Sequence, residues 1–91
     1  MGSPPSSPII SRDRTEVTVD ARQYILGGGE PFHIILEQVA KLPDNGMLKL
    51  RTPFEPLPMM KQLENLGFAV VSERIAADDW LVSARRASVA G

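Results

Sequence analysis

Gly27-Gly28-Gly29-Glu30-Pro31-Phe32-His33-Ile34-Ile35-Leu36-Glu37-Gln38-Val39-Ala40-Lys41-Leu42 runs from a glycine-rich loop straight into an amphipathic helix. Phe32, Ile35, Leu36, Val39 and Leu42 recur at helical spacing and make one apolar stripe. His33, Glu37, Gln38 and Lys41 lie mostly off it. Pro31 falls in the first helical turn, where its missing N–H would be unpaired in any case. The glycines leave the helix N-terminus uncrowded, an opening where backbone N–H groups could meet a ligand.

On either side of this helix the pattern changes to a period of two. In Thr15–Ala21, Val17 and Val19 point one way and Glu16, Thr18 and Asp20 the other, which predicts a half-buried strand. A loop from Arg22 to Glu30 leads to the helix. Pro43 and Asn45-Gly46 end it with turn chemistry. In Met47–Thr52, Leu48 and Leu50 face in and Lys49 and Arg51 out, a second strand. Pro56 and Pro58 fit the first turn of a second helix, whose stripe is Leu57, Met60, Leu63 and Leu66. Gly67 suits the left-handed position that stops it. Phe68–Ala76 is a third strand of mixed facing, with a bulge or a fully buried start. After a tight turn at Ala77-Asp78-Asp79, Trp80, Val82 and Ala84 alternate along a fourth strand.

The order strand, helix, strand, helix, strand, strand predicts an α/β (α+β) two-layer sandwich. Its four-stranded mixed sheet carries both helices on one face, because right-handed crossovers in one direction put them there. The first two strands are expected to be parallel, both helices to start at the same sheet edge, and the last two strands to form a hairpin. Residues 15–86 make this single domain. Residues 1–14, rich in proline and serine, read as a disordered tail on which Ile9 and Ile10 could dock, and 87–91 as a frayed end.

At 91 residues the chain buries only about 60% of its unfolded surface, so each large apolar residue counts. Its 10 basic and 11 acidic residues leave a formal net charge of -1, which argues against nucleic-acid binding by bulk electrostatics. The absence of cysteine excludes disulfides, thiolate catalysis and cysteine metal sites. A single histidine excludes a multi-histidine metal site within one chain. No cofactor is implied. No apolar run approaches the roughly 20 residues of a membrane span, and no signal peptide is visible. Gly2 with Ser6 formally fits a myristoylation pattern, but the intervening prolines make a plain disordered tail the better reading.

Val19-Asp20-Ala21-Arg22, Gly29-Glu30-Pro31, Leu42-Pro43 with Gly46, Arg51-Thr52-Pro53-Phe54-Glu55-Pro56-Leu57-Pro58, Leu63-Glu64, Gly67-Phe68 and Trp80 follow one another at characteristic spacing. In this the chain resembles the bacterial and archaeal domain of unknown function twenty-two forty-nine, over about residues 15–86. That group looks like a relative of the TusA/SirA sulfur carriers, so the resemblance implies a TusA-like sandwich in a bacterial cytoplasmic protein. It also implies an association with respiratory, nitrogen-oxide or sulfur metabolism. Carriers of that kind hold a persulfide on the cysteine of a Cys-Pro-x-Pro motif at the start of the first helix. Aligned on Pro31, the cysteine position is Gly28 and the first proline is Gly29. Without a thiol there is no persulfide, so the scaffold carries over and sulfur transfer does not.

The candidate site is the edge where both helices begin: Arg22, Gly28, Gly29, Glu30, His33, Arg51 and Glu55. Glu30 could be a ligand or a buried base, or simply cap its helix. His33 could be an acid–base group or one ligand of a metal shared in an oligomer, or pair locally with Glu37. Glu55 could line the same pocket or cap the second helix. Arg22 and Arg51 could hold an anion, or be neutralised by Asp20, Glu30 or Glu55. The glycines match no phosphate-binding fingerprint. They make a flexible loop, or else a mobile lid.

The function expected is therefore that of a non-catalytic module binding a protein partner or a small anionic ligand at the paired helix N-termini. One alternative is an enzyme or accessory factor using His33 and Glu30. Another is nucleic-acid binding through the open sheet face with Lys49, Arg51, Arg85 and Arg74. No outward aromatic is present there to stack bases.

Overall fold

A computed structural model describes residues 8–86, and the expectations for residues 1–7 and 87–91 lie outside them. The elements are β1 (Ile9–Arg12), β2 (Glu16–Asp20), α1 (Arg22–Leu26), α2 (Phe32–Ala40), β3 (Met47–Thr52), α3 (Leu57–Asn65), β4 (Phe68–Ala76) and β5 (Asp79–Arg86). The sheet is mixed and ordered β1-β2-β3-β5-β4. β2 and β3 run parallel, and β5 is antiparallel to both β3 and β4, so β2, β3 and β4 share one direction.

Two elements correct the sequence reading, which allowed four strands and two helices. The sheet has five strands because Ile9–Arg12, assigned to the tail, pairs antiparallel with β2. Ile10 and Arg12 lie opposite Val19 and Val17, on the face that carries the helices. Arg12 donates from Nη1 to Oε1 of Gln38, and Gln38 is buried although its helical position reads as polar. The third helix is α1, in the stretch expected to be loop. Its first N–H, from Arg22, is taken by the Asp20 carboxylate at 3.2 Å, and the Ile25 N–H reaches the Ala21 carbonyl at 2.9 Å.

The core is one-sided. Val17 and Val19 of β2, Leu48 and Leu50 of β3, and Val82 and Ala84 of β5 are wholly buried in adjacent register. Ile35 and Val39 of α2 and Met59 and Leu63 of α3 close over them. Phe32 and Leu36 pack at the margin. The stripe of α2 is therefore the expected one, whereas that of α3 is rotated: Met59 and Leu63 are buried, while Leu57 and Leu66 are exposed. The α3 sequence has apolar residues on two overlapping faces. Pro56, just ahead of the helix, is buried together with Met59 and Leu63, whereas Leu57 is exposed. Gly67, at φ +96°, ends α3 as its position implies.

These faces make a direct comparison. Leu63→Ala is expected to lower the unfolding free energy by about 2–5 kcal/mol, because it opens a cavity under α3. Leu66→Ala, at the exposed residue that closes the same helix, should shift it by less than about 0.5 kcal/mol. Urea denaturation of the two variants reads this, and equal losses would put the helix in the wrong rotation.

Candidate functional site

The parallel pairing of β2 and β3 brings Asp20 directly beside Arg51 at the carboxyl ends of these strands. Both crossovers leave from this edge: α1 and α2 follow β2, and α3 follows β3. The helix starts therefore share one end of the molecule, as the element order requires. The edge has two sides, however, set by the alternation along each strand.

On the open face of the sheet stands a network of four charges. Arg22 grips Asp20 with a fork, Nε to Oδ1 at 3.0 Å and Nη2 to Oδ2 at 2.8 Å. Arg51 grips Asp79 in the same way, Nε to Oδ1 at 3.1 Å and Nη2 to Oδ2. Arg22 Nη1 also lies 3.4 Å from Asp79 Oδ2, which links the two pairs. Asp79 is only 8% exposed, so both guanidinium groups help offset its desolvation. The bond from Arg22 holds the Asp20 carboxyl below its ordinary range, against a smaller opposing effect of burial. Asp20 in turn raises Arg22 above its usual value. Two arginines face two aspartates, so the network carries no net charge.

Glu30 and Glu55 belong to the helix side and do other work. Glu30 Oε1 accepts the Phe32 N–H at 2.8 Å and so caps the first turn of α2. Glu55 Oε2 accepts the Ser72 hydroxyl at 2.6 Å, which ties the start of α3 to β4. Thr52, buried at the end of β3, donates from Oγ1 to the Phe54 carbonyl at 2.7 Å and stiffens the same connection. His33 is exposed on α2.

The glycines form a helix stop. Gly28 N–H reaches the Ile25 carbonyl at 2.9 Å and Gly29 N–H the Tyr24 carbonyl at 2.8 Å, the paired bonds of a Schellman cap on α1. Gly28 takes φ +94°, which side chains other than glycine adopt at a cost. A Cβ on Gly29 would come within 2.5 Å of the Tyr24 ring. This stretch is a specified turn between two helices, with Tyr24 laid against its backbone.

The residue that sequence reasoning missed is Asp79, read as part of a tight turn. Its parity with Leu81, Ser83 and Arg85 already puts it on the face of Arg51. The contact became visible only with the β3–β5 pairing, in which Arg51 lies opposite Leu81. Of the basic residues assigned to the open face, Lys49 pairs with Glu16 at 3.4 Å, Arg51 with Asp79, and Arg85 is exposed. Arg74 stands opposite Trp80, on the helix side, and is corrected accordingly.

Apolar exposure is concentrated at the same edge. Leu26 closing α1 is 65% exposed, Phe54 in the β3–α3 connection 53%, and Leu57 opening α3 60%. Ile9 and Ile10, beside the end of β2, and Ile75, at the end of β4, add to them. Only Leu66 and Val71 are large exposed apolar residues elsewhere among the described residues. No group of three His, Cys, Asp or Glu among these residues could hold a metal ion. No helix among them is long and apolar enough to cross a membrane.

Residues 18–86 match the family model described as "Uncharacterized conserved protein (DUF2249)", a span that starts within β2 and takes in β3, β4, β5 and all three helices. The chain belongs to the DUF2249 family. Comparison with curated proteins and with solved structures found no match. The matched span begins beyond β1, so that strand, with the Arg12 that bonds Gln38, lies outside the DUF2249 match.

Two expectations test the network. Asp79→Ala should cost about 2 kcal/mol, since charge-assisted bonds are lost and Arg51 is left without its carboxylate. Lys49→Ala, from a half-exposed pair, should change stability by less than about 0.5 kcal/mol. The folded pKa of Asp20 is depressed, so its contribution is complete above the unfolded value of about 3.9 and is lost as pH falls through the folded value. Urea midpoints measured from neutral pH down to strong acid should fall below about pH 4 in the parent. The fall should be shallower in Asp20→Asn, and identical profiles would refute the assignment.

Proposed function

We propose that this DUF2249 domain is a non-catalytic docking module that binds a protein partner with an uncharged, apolar surface at the edge where its helices begin. The observation carrying the reading is the exposure of Leu26 closing α1, Phe54 in the β3–α3 connection and Leu57 opening α3, each more than half exposed, in the connections that leave that edge. Exposed apolar groups gathered on one side of a small domain favour association, because burying them against a partner removes them from water.

The polar groups of the edge support a protein over a small anion. Arg22 and Arg51 are already matched by Asp20 and Asp79, and Glu30 and Glu55 by a backbone amide and a hydroxyl. An incoming anion would have to displace a carboxylate from a bidentate fork. Binding is thus proposed around Gly27–His33 and Thr52–Leu57, with the charged network as a rigid frame. A sulfur-carrier ancestry with the cysteine position at Gly28, in a cytoplasmic protein, is part of the same proposal. In it the scaffold retains a docking edge without the reactive sulfur.

The test is affinity capture from lysate with the full chain, paired with chemical-shift mapping of the captured partner. Phe54→Asp and Leu57→Asp should abolish capture and leave the thermal unfolding midpoint within about 2 °C of the parent, since both side chains are exposed. Phosphate and sulfate should leave the Arg22 and Arg51 resonances unmoved. Shifts confined to Pro43–Gly46 and Leu66–Gly67, at the opposite end, would reject the site.

A further inference from the structure

Among the described residues β4 is last in the sheet order, with one side bonded to β5 and no strand on the other. Along that side alternate residues turn N–H and C=O away from the sheet, a template for another strand. The strand is nine residues long, contains no proline, and carries Val71, 65% exposed, on the open sheet face. Folds usually blunt such an edge with charges, prolines or bulges. In β4 these devices are gathered at one end: Glu73, Arg74 and the register shift between Arg74 and Ala76. The regular part, Phe68–Arg74, has Val71 as its midpoint.

We infer that β4 pairs antiparallel with β4 of a second copy of this chain, about a two-fold axis through Val71, joining two sheets into one. Charge and geometry set the register. About this axis Val71 meets its own copy, Val70 meets Ser72, Ala69 meets Glu73 and Phe68 meets Arg74, so no like charges are opposed. An axis at Glu73 would oppose two carboxylates, and one at Arg74 two guanidinium groups. An axis at Ser72 would carry the ladder into the register shift. One at Val70 would draw in Leu66 and Gly67, which lie outside the strand. Only Val71 uses the whole regular segment. The pairing axis at Val71 lies on the flank of the sheet, away from the exposed Leu26, Phe54 and Leu57, so the crosslink at Val71 and partner capture are read separately.

The chain has no cysteine, so one introduced thiol reports the register. Val71→Cys sets two residues directly opposite, with Cα atoms about 4.5–5.5 Å apart, within disulfide reach. Ala69→Cys leaves its two thiols about four strand residues apart, roughly 13 Å, beyond that reach. Sedimentation equilibrium of the full chain is expected to show a dimer. Mild oxidation should crosslink Val71→Cys and not Ala69→Cys. Val71→Glu, which opposes two carboxylates on the axis, should weaken the dimer on the order of tenfold with an unchanged circular dichroism spectrum. A chain that stays monomeric throughout its soluble range overturns the inference. So does a dimer in which Val71→Cys fails to crosslink, or in which Ala69→Cys crosslinks as readily.

Discussion

Val17, Val19, Leu48, Leu50, Val82 and Ala84 lie side by side across β2, β3 and β5 without solvent exposure, and the rest of the molecule is arranged to keep them so. A sheet of this size has one apolar face to cover, and burial of that face is the main favourable contribution to folding. The two long helices cover it with Ile35, Val39, Met59 and Leu63. Because both crossovers travel the same way across the sheet, both helices lie on one face, and because β2 and β3 are parallel, both crossovers leave from the same edge. The site thus follows from the core: one-sided burial brings two loops, a short helix and two strand ends together at one end.

Polar chemistry at that end is largely internal. The arginines that look available in the sequence are held by Asp20 and Asp79, and the glutamates by a helix amide and Ser72. The glycines, which read as a loop, complete a helix cap that needs φ +94° at Gly28 and no side chain at Gly29. The edge exposes large apolar side chains, Leu26, Phe54 and Leu57, and so its proposed role is docking.

Much of the fold was legible because strong periodicity leaves few alternatives. Val17/Val19 and Leu48/Leu50 alternate cleanly, and the α2 stripe has a single apolar face. Strand β1 was missed because all four of its residues are exposed and no alternation marks it. It exists through pairing with β2 and through Arg12 on Gln38, contacts between residues distant in sequence. Helix α1 was missed because five residues before three glycines carry no period, and its stability comes from Asp20 ahead of it and the cap behind.

The amino-acid sequence by itself determined the α/β class, the parallel first crossover, the α2 face, the stop at Gly67 and the absence of a thiol. Each depends on residues close together in the chain or on composition alone. Tertiary structure alone decided the fifth strand, the rotation of α3, the partner of Arg51 and the order that leaves β4 at the margin. These depend on which strands become neighbours, and neighbourhood is set by the packing of the whole core rather than by any local pattern.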